Sequence, residues 1–180
     1  MTGRGTRGQT GHGEIVKRVL VYGLLLLILA TAQCAFFARL ELLGAVPNLV
    51  LCAVVAIALV DSIRAAAVAG IAGGFLLDAL GGVGLSLSPL MFFLVAWLIG
   101  SLAAKMMTGM VSYCILLIPT AVFAGAVRLV TLLWAGEPVL GALRHGVLPE
   151  LICTAVLGLP LYGIVALCNL FWKRERGVMR

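Results

Sequence analysis

The chain has 180 residues, of which 63% are hydrophobic and 11% charged, with a formal net charge of +6 and a mean hydropathy of +1.18. An ordinary soluble domain carries roughly a quarter charged residues, so a water-soluble fold could not cover this much apolar surface, and the length allows one domain. The basic residues flank apolar blocks and do not form a stripe interleaved with aromatics, which argues against nucleic acid as a partner.

In chain order, Met1 to Gly13 is rich in Gly and Thr, carries Arg4 and Arg7, and has too few apolar residues to pack. Residues 1–18 are therefore expected to form a disordered basic tail, in contact with anionic lipid or simply solvated. A hydrocarbon core of ~30 Å requires about 20 apolar residues per helix, and six blocks come near this. The first runs from Val19 to Ala38; no small-residue cleavage site precedes the polar break at Arg39, so it reads as a retained helix. The second runs from about Leu42 to Val60 with Pro47 in its first turn. The third, Ala65 to Leu80, is short. The fourth runs from about Leu87 to Ala104 with Pro89 at its start, and the fifth from Val111 to Ala135, interrupted by Pro119. The sixth, Val147 to Leu170, carries Pro160, where the missing N–H predicts a kink. Residues 19–172 thus form one transmembrane domain, and 173–180 a second basic tail.

Cytoplasmic loops are enriched in Lys and Arg. With both termini inside, the inner segments hold ten such residues and the outer loops only Arg39 and Arg144, with Arg128 inside the fifth block left out. The expected architecture is an all-α, polytopic, compact six-helix transmembrane bundle with both ends cytoplasmic.

Ionisable groups at bilayer depth are costly, at least ~2.5 kcal/mol each, and so call for a partner or a water-filled site. Asp78, Arg128 and Glu150 all fall at a similar outer depth when each helix is counted at ~1.5 Å per residue. They could form an intramembrane ion-pair cluster, either as a polar pocket for a partner or as an internal pair that fixes packing. Ala66, Gly70, Gly74 and Asp78 recur every four residues and share one helix face, a small-residue seam that lets another backbone approach closely. Gly81, Gly82 and Gly84 follow as an outer turn without the Lys or Ser/Thr spacing of a phosphate loop. The five cysteines lie inside apolar blocks without metal-ligand spacing and read as packing residues. Neither they, the scattered serines, His12 nor His145 assemble into a nucleophile, an acid and a base, so no enzyme, metal site or cofactor is expected.

Two stretches carry a resemblance. Val46-Pro47-Asn48-Leu49-Val50-Leu51 opens the second helix, and Gly70-Ile71-Ala72-Gly73-Gly74-Phe75-Leu76-Leu77-Asp78-Ala79-Leu80 runs into Gly81-Gly82-Val83-Gly84-Leu85. With a basic tail and about six spans, the chain resembles the bacterial rod shape-determining MreD family. The pattern carries over to Pro47, Asn48, Gly70, Gly74, Phe75, Asp78 and Gly84, as residues for packing or for a partner. Ser86 and Ser88 stand where the family has a more polar turn with asparagine. The resemblance implies a non-catalytic membrane scaffold of the cell-elongation complex. Its partners would be MreC, most directly, MreB, and the glycosyltransferase and transpeptidase of peptidoglycan synthesis; MreC would dock near Asp78. The alternative is the substrate-binding membrane subunit of a vitamin or metal uptake transporter, which would offer convergent polar or aromatic side chains to its ligand.

Overall fold

The computed structural model describes residues 9–37, 46–81, 88–103, 109–134, 136, 138–141, 143 and 147–178. It is built from six helices of twelve residues or more: α1 (Gln9–Thr31), α2 (Leu49–Val60), α3 (Ile63–Gly81), α4 (Ser88–Ala103), α5 (Met110–Trp134) and α6 (Leu148–Val178). A π-helical segment, Ala32–Phe37, continues α1. Gly84, Arg39, Arg144 and His145 lie outside the described residues.

Several sequence expectations are corrected. α1 begins at Gln9 and α6 runs to Val178, so residues 9–18 and 173–178 are helical. Once a helix is anchored in packed neighbours, each further residue adds a backbone hydrogen bond without a new nucleation step. α2 has only 12 residues and starts after Pro47, with Asn48 as its N-cap. The helices continue through Pro119 and Pro160. Among the described residues, stretches long and apolar enough to cross a membrane occur in four helices, at Lys17–Ala35, Ile63–Gly81, Met110–Val130 and Leu148–Leu170; α2 and α4 are shorter apolar helices.

The arrangement centres on α2, which touches all five other helices. Eleven of its residues, Leu49 to Leu59, are buried. Lipid is as apolar as these side chains, so the hydrophobic effect does not assemble such a core; close van der Waals packing does. The composition suits that role, because the alanines, Cys52 and the β-branched valines of α2 present a slim cylinder that five neighbours can approach.

The helices alternate in direction. At one end, the start of α1 meets the α2–α3 junction, where Arg18 Nη1 lies 3.1 Å from Asp61 Oδ1, and late α6 arrives where Asn169 donates to the Val60 carbonyl at 3.4 Å. α5 and α6 run antiparallel, with Tyr113 stacked on Tyr162 at a centroid distance of 4.8 Å and Arg128 paired to Glu150. α2 runs parallel to α6, since Asn48 contacts Thr154 while Val60 contacts Asn169. The large apolar side chains on the outward faces, Leu24, Val68, Leu98, Ile118 and Ile152 among them, stay exposed, the inverse of a soluble bundle.

Candidate functional site

Among the described residues, three groups of polar side chains make contacts between helices, and the first is at the buried start of α2. A helix N-terminus leaves N–H groups without intrahelical partners, and in hydrocarbon each such group costs several kcal/mol. Here the Asn48 side chain accepts the Leu51 N–H at 3.1 Å, Gln33 Oε1 accepts the Val50 N–H at 3.3 Å, and Thr154 Oγ1 accepts the Asn48 N–H at 3.0 Å. Pro47 immediately before has no N–H to satisfy. The Pro-Asn pair is thus a helix start built for a dry place. Thr154→Val keeps the shape but orphans the Asn48 N–H, so thermal unfolding in detergent should show a loss of about 1–3 kcal/mol, with Thr154→Ser recovering most of it.

Immediately below, α6 leans on α2 and α5 through Gly158. A Cβ there would lie 2.7 Å from Leu117 Cδ2, 2.9 Å from the Tyr113 hydroxyl and 3.2 Å from Cys52 Sγ. The fully buried Tyr113 donates to the Cys52 carbonyl at 3.3 Å, and the Cys52 thiol faces the Thr154 carbonyl at 3.4 Å. Cys52 therefore acts as a packing and bridging side chain.

The second place is the ion pair of α5 and α6. Arg128 Nη1 lies 2.6 Å from Glu150 Oε2, with the Glu150 side chain 11% and the Arg128 side chain 41% exposed. Glu150 is in the first turn of α6, where the helix dipole also favours a negative charge. Asp78 is buried and engaged with its own surroundings. Ion pairs join Arg128 to Glu150 and Arg18 to Asp61. Of the three residues expected to cluster, Arg128 and Glu150 are paired, and Asp78 stands on α3, a helix that packs chiefly on α4, α2 and α1.

The third place is at the opposite end, and sequence reasoning missed it. Asp61 receives Arg18 at 3.1 Å, the Tyr22 hydroxyl at 3.0 Å and the Ser62 N–H at 2.8 Å. This clasp ties α1 to the α2–α3 junction. The signals were present: an Asp-Ser break between two apolar blocks, and an arginine just before the first. Thr154 and Asn169 share one face of α6 with Gly158 and Val165 by helical spacing, a pattern that marks a packed face but not the groups these side chains meet.

The glycine seam of α3 is occupied within the bundle. A Cβ on Gly70 would lie 2.6 Å from the Phe92 carbonyl oxygen, and one on Gly74 would lie 2.5 Å from the Pro89 Cα and N. α4 therefore fills the face that holds Gly70 and Gly74. Gly73 points instead at Val50 of α2 and Leu26 of α1. Phe75, by contrast, projects outward and is 64% exposed. Beside this seam an apolar crevice of about 260 Å³ opens between α4 and α5, bounded by Leu98, Ile99, Leu102, Leu116, Pro119 and Phe123.

Among the described residues no group of three or more His, Cys, Asp or Glu side chains is placed to hold a metal ion, and no buried side-chain nitrogen or oxygen lacks a hydrogen-bond partner. Comparison with family models, with curated proteins and with solved structures finds no match for this chain.

Proposed function

We propose that this chain is a non-catalytic integral membrane scaffold of the bacterial cell-elongation complex, working in the manner of the MreD family, with six crossings and both termini in the cytoplasm. The observation that carries the reading is the division of labour within the resembling stretches. Pro47 and Asn48 start the buried central helix, and Gly70 and Gly74 seat α4, so the pattern's small and polar residues build the bundle. Phe75 is left on the outer surface beside Val68 and Ile71, which are also exposed. That ridge is the surface offered to a partner helix, MreC being the first candidate, and MreB and the two wall synthases are reached through the assembled complex. Asp78, being buried, supports α3 and does not itself meet the partner.

The polar groups at the three places satisfy one another, which suits a molecule that works by holding neighbours in position. The alternative, a transporter subunit for a vitamin or metal, would need polar groups converging on its ligand. In the α4–α5 crevice the polar side chain is Thr120, and its hydroxyl already donates to the Leu116 carbonyl at 2.6 Å.

Two measurements test the reading. Depletion of the protein in its rod-shaped host should round the cells, and cells that keep their width would exclude the scaffold role. Phe75→Ala should leave the amount and thermal stability of the purified chain unchanged while lowering co-purification of MreC by about tenfold, the size expected for truncating an aromatic anchor at ~1.4 kcal/mol or more. Equal recovery of MreC with both chains would remove the ridge from the proposal.

A further inference from the structure

We propose that the end of the bundle where α1 enters and α6 leaves is a binding collar for anionic lipid headgroups. The inference starts from the lengths of the two terminal helices. The apolar stretch of α6 ends at Leu170, yet its helix runs on to Val178, a further ~12 Å at 1.5 Å per residue. Likewise α1 starts at Gln9, eight residues before its apolar stretch opens at Lys17, again ~12 Å. A bilayer is ~30 Å thick in its hydrocarbon and ~40–45 Å with its headgroups, leaving ~5–8 Å of headgroup layer per side. Both helices therefore cross the whole headgroup layer as rods. Lys173, Arg174 and Arg176 lie about 4–9 Å beyond Leu170 along the helix, at the height of the lipid phosphates.

Both rods leave from the same end, because the Arg18–Asp61 clasp and the Asn169–Val60 bond bring the start of α1 and the last apolar turns of α6 to the same α2–α3 junction. The charge is divided unequally between the two ends. Among the described residues this end carries six cations (Lys17, Arg18, Arg64, Lys173, Arg174 and Arg176) against three carboxylates (Glu14, Asp61 and Glu175). The opposite end carries Arg128 against Asp78 and Glu150. Asp61 is already held by Arg18 and Tyr22, so it adds little to neutralising the cations of α6. Basic residues next to a membrane surface attract anionic lipid, each by about fivefold in binding, and these lie within the headgroup layer of the membrane that holds the protein. A lipid phosphate is thus the nearest and most concentrated anion. An acidic segment of a soluble protein would have to compete with it.

The test uses the full chain reconstituted in mixed phosphatidylglycerol and phosphatidylcholine, with spin-labelled versions of each lipid reporting the fraction immobilised at the protein. The wild-type chain should favour phosphatidylglycerol by about fivefold or more. The preference should collapse as salt is raised and the Debye length shrinks from ~10 Å at 0.1 M to ~3 Å at 1 M. It should also fall, without vanishing, in the triple variant Lys173→Gln, Arg174→Gln, Arg176→Gln, because Lys17 and Arg64 remain at this end. These positions lie past the last apolar turn, and helical circular dichroism and thermal unfolding of the variant check that the bundle persists. Should the triple variant fail to accumulate, the salt titration of the wild-type chain decides alone. Equal immobilisation of the two lipids by the wild-type chain, a preference indifferent to salt, or a preference unchanged in the folded triple variant would each overturn the collar. Capture of an acidic protein by a chain without lipid preference would overturn it as well.

Discussion

Gly74→Ala is expected to drive α3 and α4 apart and to leave little folded protein in the membrane. The added Cβ would sit 2.5 Å from two backbone atoms of Pro89 and 2.6 Å from the Ser88 carbonyl carbon, so no rotamer change can relieve the clash; a whole helix must move. Overpacking a core ordinarily costs about 1–3 kcal/mol, and a backbone-on-backbone contact belongs at or above the top of that range. Gly70→Ala meets the Phe92 carbonyl oxygen at 2.6 Å and should behave alike. Gly73→Ala supplies the control, because its first obstacle is a side-chain methyl, Val50 Cγ1 at 2.7 Å, which has some freedom to give way. Thermal unfolding in detergent micelles should rank Gly73→Ala clearly above the other two. Equal stability for Gly73→Ala and Gly74→Ala would mean that α4 is not seated as described.

The second large effect concerns the α5–α6 pair. Removing only the carboxylate, as in Glu150→Leu, takes away the 2.6 Å partner of Arg128, and breaking a buried pair from one side costs about 3–5 kcal/mol. Arg128 is partly exposed, so solvent screening brings the expected loss to the lower bound of that range or below it, about 2–3 kcal/mol. The double replacement Arg128→Leu with Glu150→Leu removes both charges and should be less harmful than Glu150→Leu alone, because well-packed apolar pairs often replace buried ions without penalty. A double-mutant cycle read by thermal unfolding measures this coupling. Strict additivity of the two single losses would show that the 2.6 Å contact carries no energy.

Much of this architecture was legible in the residues, for reasons that can be named. The apolar blocks were visible because lipid-facing and core-facing positions are both greasy, so each helix appears as an uninterrupted run. For the same cause the sequence could not reveal that α2 is enclosed on all sides while α1 is largely exposed: burial leaves no polar contrast to read. Four-residue spacing put Gly70, Gly74 and Asp78 on one face, but spacing cannot say what covers a face, and the cover proved to be α4. Counting depth placed Arg128 level with Glu150, and the two are paired, but depth along a helix axis says nothing about the side of the bundle on which a residue such as Asp78 stands. The Arg18–Asp61 clasp escaped notice because both residues sit at block boundaries, where charge is ordinary. Thr154 and Gln33 are single polar residues in apolar runs, and their role becomes apparent only once the start of α2 is seen to be buried.

The capped start of α2 bears on how the chain is put together during synthesis. Thr154, which accepts the Asn48 N–H, is encoded 106 positions downstream, and a 12-residue helix, ~18 Å long, is too short to cross ~30 Å of hydrocarbon unaided. A nascent chain that has only reached α5 would hold a slender hairpin with one bare amide in oil. Insertion of α2 must therefore be provisional until α6 emerges and closes the ring around it, which makes α6 the keystone of biogenesis as well as of the finished bundle.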